Sequence, residues 1–126
     1  MKVLFDTHAF IWNFTNDKKL SEKVKKLSFE AEPYLSAASI WELSIKKSKG
    51  KLNTHLNIEQ LIQDAKNFGM RELPIHFSHA LEVQSLPPVH GDPFDRMLAA
   101  QSIMENMPII SSDSIFDEYK VKRIWD

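Results

Sequence analysis

Asp6 follows Val3-Leu4-Phe5 and Asp113 follows Ile109-Ile110-Ser111-Ser112, so each of these acids ends an apolar run. A carboxylate there, with no basic neighbour in sequence at Asp6, is costly to desolvate unless it is paired or hydrogen-bonded. In open parallel sheets the working crevice lies at the carboxyl ends of the strands. Two acids leaving that edge together repel each other unless a cation sits between them. Glu42, in Ser39-Ile40-Trp41-Glu42-Leu43, and Asp95, in Asp92-Pro93-Phe94-Asp95-Arg96, are the other members of the candidate set. On a helical wheel Glu42 borders an apolar arc of Ala37, Ala38, Ile40, Trp41, Leu43 and Ile45. The i+4 and i+7 neighbours of Asp95 are Ala99 and Ser102, small enough for a partner to approach its carboxylate.

Each acid also has a plain structural role open to it. Asp92 suits an N-cap and Asp95 the N3 position of the same helix, and a cap and a ligand role can coexist at Asp95. Asp113 can cap the turn that begins at Ser114, and Glu42 can pair with Lys46 at i+4. Lys46, Lys47, Lys49 and Lys51 are four charges within six residues, either a phosphate-holding patch or a solvated helix end. His76-x-x-His79 lacks the further ligands that a zinc centre needs. His8 and His90 flank acidic motifs, and Phe10, Trp12 and Phe14 are expected in the core or a subunit interface.

The elements that must position these residues are legible as apolar β-branched runs alternating with amphipathic stretches. Strands are expected at residues 3–5, 33–36, 108–112 and 121–125, with an extended edge piece at 72–75. Helices are expected over 8–14, from a Ser21 cap to about Phe29, over 37–49 with Gly50 at C′, and from an Asn57-x-x-Gln60 capping box to Gly69. Two more run from about Ser78 to Leu86, stopped by Pro87-Pro88, and from Pro93 to about Asn106, with a helical turn over 114–119. No repeat or linker interrupts the pattern. It specifies one doubly wound α/β domain over residues 1–126, around a mostly parallel sheet of four to five strands flanked by helices.

Composition removes several chemistries. The 126 residues contain no cysteine, which excludes thiol nucleophiles, disulfide scaffolds and cysteine-bearing zinc sites. Gly50, Gly69 and Gly91 are the only glycines, too few for a phosphate loop, a G-x-G-x-x-G turn or a nucleophile elbow. With 16 Lys+Arg against 17 Asp+Glu there is no whole-molecule field to draw in a polyanion, so a local patch or a metal must do so. The start, Met1 to Asp6, is neither a signal core nor a membrane span, and a cytoplasmic, non-membrane protein is expected.

Leu4-Phe5-Asp6-Thr7-His8, Ser36-Ala37-Ala38-Ser39-Ile40-Trp41-Glu42, His90-Gly91-Asp92-Pro93-Phe94-Asp95-Arg96 and Ser111-Ser112-Asp113 together resemble the PIN-domain family. More narrowly, the chain is similar to the VapC-type toxin ribonucleases of bacterial toxin–antitoxin pairs. The resemblance spans essentially the whole chain. It implies acids gathered around Mg²⁺ or Mn²⁺ that cleave phosphodiester bonds in RNA, with Asp6, Glu42, Asp95 and Asp113 as metal-holding catalytic residues and Asp92 in reserve. Ser111 falls where the family often has a hydroxyl near the metal; with Lys46, Lys49 and Arg96 it completes the expected substrate contacts. Gly91 stands where close relatives often carry a basic residue. The implied partner is a small antitoxin covering the active site, and Trp12, Phe14 or Trp41 offers surface for that docking or for a homodimer. The residue types suit the metal: carboxylates are the hard donors Mg²⁺ and Mn²⁺ prefer.

Competing classes fit less well. An aspartyl phosphatase would need an acid at position 8, where His8 stands, and a receiver domain would need a lysine at a later strand end, where Ser111-Ser112 precedes the acid. The remaining alternative is a catalytically inactive PIN-like module that binds RNA or protein.

Overall fold

The computed structural model describes residues 1–126. Five strands, β1 (Lys2–Phe5), β2 (Glu32–Ser36), β3 (Arg71–Leu73), β4 (Ile109–Ile110) and β5 (Arg123–Ile124), form one sheet in the order β3-β2-β1-β4-β5. Every pairing is parallel, with Phe5 opposite Leu35 on one side and Ile110 on the other. Six α-helices connect them: α1 (Thr7–Thr15), α2 (Glu22–Glu30), α3 (Ala37–Ser48), α4 (Ile58–Phe68), α5 (Phe77–Glu82) and α6 (Pro93–Glu105). The expected doubly wound domain is thus present, with five strands and no antiparallel member.

Strand periodicity divides the core. Val3, Phe5, Leu35 and Ile110 face a cluster completed by Phe10, Val24, Leu43, Leu61 and Ala65, while Leu4, Tyr34 and Ile109 face Ala38, Leu98, Ala99 and Phe116. Helices therefore cover both faces, as parallel strands buried on each side require.

The chain builds β1, β2 and β3 outward in one direction, then returns to lay β4 and β5 on the other side of β1. The order reverses between β1 and β4. A crevice opens at such a reversal, because the two connections that leave the strand ends diverge to opposite faces. Asp6 and the Ser111–Asp113 segment are the residues that follow those two strands.

Local differences from the sequence expectation have local causes. β4 pairs only through Ile109–Ile110, because the Ser111 hydroxyl accepts the Asp113 N–H at 2.9 Å and turns the chain off the ladder. β5 likewise shortens to Arg123–Ile124. Asn57 caps α4 by accepting the Gln60 N–H at 2.9 Å, but the Gln60 amide is directed to Asp64 rather than back to the cap, so the box is half formed. The segment from Ser78 to Leu86 is helical only through Glu82 and then tightens into a 3-10 turn, Val83–Ser85.

Candidate active site

Asp6 ends β1 and is the N-cap of α1: its Oδ1 accepts the Ala9 N–H at 2.8 Å. It is 5% exposed. Burial raises its pKa above the ordinary 3.8, opposed by the Ser111 hydroxyl and the Ala9 N–H, while the charge of Asp113 pushes it further up. Asp113 caps the 3-10 turn Ser114–Glu118 through Oδ1, which accepts the Ile115 N–H at 3.0 Å. Arg123 holds this segment from β5, donating to both Asp117 oxygens at 3.0 and 3.1 Å and to the Ser111 carbonyl at 3.2 Å.

Glu42 lies inside α3 and is buried. Thr7 Oγ1 donates to its Oε1 at 2.9 Å and Lys46 Nζ lies 2.9 Å from its Oε2. The Lys46 pair foreseen as a plain helical contact is therefore present. Thr7 Oγ1 also lies 2.9 Å from Ser39 Oγ, so the first turn of α1 is stitched to α3 by buried hydroxyls. The helical wheel is corrected here. Ala38, Ser39, Glu42 and Leu43 form the inward stripe of α3, and Trp41, assigned to the apolar arc, is 54% exposed. Ala38 packs on Leu4 and Tyr34, while Ser39 and Glu42 on the same stripe meet the Thr7 hydroxyl of α1.

Asp95 stands at N3 of α6, with Asp92 as the N-cap accepting the Phe94 and Asp95 N–H groups at 2.9 and 3.2 Å. Burial, followed by the charges of Asp92, Glu42 and Asp113, pushes the Asp95 pKa from 3.8 up to about 7. His90 opposes that rise; its Nε2 is 3.6 Å from Asp95 Oδ2 and has no hydrogen-bond partner. The His90 Nδ1 is 3.3 Å from the Tyr119 hydroxyl. The acids from β1, α3, α6 and the post-β4 turn thus act on one another across the switch point. No three His, Asp or Glu side chains stand together as a preformed ligand set. Asp6, Asp92 and Asp113 each use Oδ1 in a cap, and no hydrogen bond to a backbone donor involves their Oδ2.

A family model for the PIN domain matches residues 3–122. The chain belongs to the PIN domain family. Among solved structures, this PIN domain is similar in fold to a chain of VapBC2 from Rickettsia felis bound to a promoter DNA fragment, with TM-score 0.75, 14% identity and complete coverage of both chains. It is also similar to a chain of DNA-bound VapBC from Salmonella typhimurium, with TM-score 0.68, 14% identity and coverage of 98% of this chain and 97% of that one. VapBC-1 from nontypeable Haemophilus influenzae follows at TM-score 0.63, 20% identity and coverage of 98% and 97%. No curated protein matches the chain.

The other expected site residues of this PIN domain fall as follows. Lys46, Lys49 and Lys51 line a groove of about 360 Å³ with Glu42, Asp92 and Phe94. Arg96, expected at the substrate, lines a cleft with Trp41 and His90, and its guanidinium is held by backbone: Nη1 donates to the Pro87 and His90 carbonyls at 2.9 and 3.5 Å, and Nη2 to the Val83 carbonyl at 3.2 Å. It clamps the loop that leads into α6. Replacing Arg96 with Met orphans these carbonyls and is expected to lower stability by about 2 kcal/mol in urea unfolding, with Lys restoring less than half because it lacks the planar fork. His79 is fully buried and bonds Glu105 at 2.7 Å, as a structural histidine does.

Thr7, Ser39, Gln101 and Arg123 are the supporting residues that the sequence did not single out. Gln101 receives the Ser36 hydroxyl at 2.5 Å and donates to the Pro74 carbonyl at 3.1 Å, tying α6 to the ends of β2 and β3. Ser39 at i−3 to Glu42 carried a usable signal, since that spacing shares a helix face; Gln101 and Arg123 carried none.

Proposed function

We propose that this PIN domain is a metal-dependent endoribonuclease, the toxin of a toxin–antitoxin pair, that hydrolyses RNA phosphodiester bonds at the Asp6, Glu42, Asp95 and Asp113 cluster. The observation that carries the proposal is the placement of the acids: Asp6 and Asp113 follow β1 and β4 at the strand-order reversal, and Asp95, at N3 of α6, feels the charges of Asp92, Glu42 and Asp113, which with burial raise its pKa as at a cation site. The donor set is hard oxygen throughout and suits Mg²⁺ or Mn²⁺. Asp6, Glu42, Asp95 and Asp113 would hold the ion, with Asp92 at the rim. When bound, such an ion lowers the pKa of water and offsets charge on phosphate oxygens.

The chain's own residues supply position. The Ala9 N–H orients the Asp6 carboxylate, and the Ser111 hydroxyl favours its charged form. Thr7 fixes one oxygen of Glu42, and Lys46 pairs with the other. Lys49 and Lys51, exposed along the groove, face the path on which RNA phosphates approach the acids.

The VapBC structures that share the fold are two-component complexes by name, which supports an antitoxin partner for this chain. A homodimer acting in the cytoplasm completes the proposal.

A second reading, a catalytically silent RNA- or protein-binding module, draws on the Lys46–Glu42 pair and the absence of a preformed ligand set. Incubation of a structured RNA pool with the purified chain in Mn²⁺ and in EDTA separates the two. Cleavage in Mn²⁺ alone supports the nuclease. Intact RNA, from folded protein free of co-purified inhibitor and with no Mn²⁺ uptake by calorimetry, overturns it.

A further inference from the structure

Trp41 immediately precedes Glu42, and Phe94 immediately precedes Asp95. With the two acids turned toward the switch point, their aromatic neighbours meet edge to face outside it, ring centroids 5.1 Å apart at 79°. Trp41 is 54% exposed although it is among the largest apolar side chains in the protein, and Phe94 holds its ring in place. The two rings form a wall between two concavities. On the Trp41 side is a cleft of about 560 Å³ lined also by Pro88, His90, Pro93, Met97 and Arg96. On the Phe94 side is the groove of Lys46, Lys49 and Lys51.

We propose that this wall is a nucleobase platform: a base of single-stranded RNA stacks on Trp41 in the apolar cleft while the adjoining phosphates lie in the lysine groove. The choice of polymer rests on the nuclease proposal. The juxtaposition itself asks for a ligand that alternates flat apolar units with negative charge at short spacing. Single-stranded nucleic acid has that alternation, with bases available to stack because they are unpaired. An apolar protein segment would fill the cleft and leave the lysines unmatched.

Binding is to be measured in EDTA, where metal-dependent cleavage is silent, so that failure of the platform and failure of the nuclease are separate results. The probes are a fluorescently labelled, unstructured octaribonucleotide and an abasic oligomer of the same length, read by anisotropy against the full chain. Trp41→Ala is expected to weaken the octaribonucleotide about tenfold or more, the scale of one lost stacking contact. Trp41→Phe keeps an aromatic face and is expected to stay within about threefold of wild type. The abasic oligomer is expected to bind weakly and to be indifferent to either change, while Lys49→Ala weakens both oligomers. Circular dichroism checks that each variant is folded, as the exposure of Trp41 leads one to expect.

Unchanged octaribonucleotide affinity in Trp41→Ala, equal loss for the abasic oligomer, or no binding by wild type overturns the platform. So does a change of oligomeric state on sedimentation with RNA affinity unchanged, which would make this face a protein interface. Base-dependent binding without cleavage in Mn²⁺ would leave the platform standing and remove the nuclease.

Discussion

Asp6→Asn is expected to lower Mn²⁺-dependent RNA cleavage by about three orders of magnitude, about 4 kcal/mol of transition-state stabilisation, with no loss of fold. Two separate properties of one side chain produce this outcome. Asparagine keeps an Oδ1 that accepts the Ala9 N–H, so the N-cap of α1 survives. It removes the charge, and with it the ability to hold a cation at the end of β1. Because the Asp6 pKa is raised by burial, loss of that charge also relieves a desolvation cost, and the metal-free variant is expected to melt no lower than wild type. Gel-based cleavage beside a thermal melt reads both. An active, well-folded Asp6→Asn protein would remove this residue from the mechanism.

Asp95→Asn is expected to reduce cleavage by about two orders of magnitude and, in metal-free buffer, to raise the melting temperature at pH 8 by roughly 5 °C. The sign follows from the proton count. The folded carboxyl titrates at about 7 and the unfolded one near 3.8. Between those values the folded chain keeps a proton that the unfolded chain has released, so stability falls as pH rises through the window and levels off above about 7. Wild-type protein without metal should therefore melt higher at pH 5 than at pH 8, and Asp6, with its pKa also raised, adds in the same direction. The asparagine variant has lost the Asp95 contribution to that slope. Mn²⁺ at pH 8 is expected to restore wild-type stability by taking up the charge that the protons no longer cover, and to do little for Asp95→Asn. A pH-independent wild-type melt would show that the acids do not press on one another as the geometry implies.

Much of this protein is readable from local sequence because its elements are locally determined. Pro93 after the Asp92 cap and Ser21 before α2 mark helix starts whose cap hydrogen bonds form within three residues. The buried strands at Val3-Leu4-Phe5 and Ile109-Ile110 are apolar on both faces, as parallel strands covered by helices must be. Three of the acids stand out for the same reason: Asp6 and Asp113 follow strands and Asp95 opens a helix, positions fixed by chain-local patterns, whereas Glu42 lies within α3. Arg96, a cation beside an acidic motif, reads as a phosphate contact, and nothing in the sequence signals that its guanidinium is committed to backbone carbonyls. Its actual partners, the Val83, Pro87 and His90 carbonyls, belong to a loop whose path no periodicity encodes.

Length, patterning and the spacing of the acids by themselves determined a doubly wound domain with carboxylates at its strand ends, since hydrophobic period and capping act over a few residues. The tertiary structure alone decided which way α3 faces, and therefore that Thr7 and Ser39 support Glu42 while Trp41 is left outside. It also decided that Asp6 and Asp113 follow the two strands at which the order reverses, and that the charges of Asp92, Glu42 and Asp113 act on Asp95. Those are properties of burial and of charges far apart in sequence, and they exist only once the chain has closed on itself.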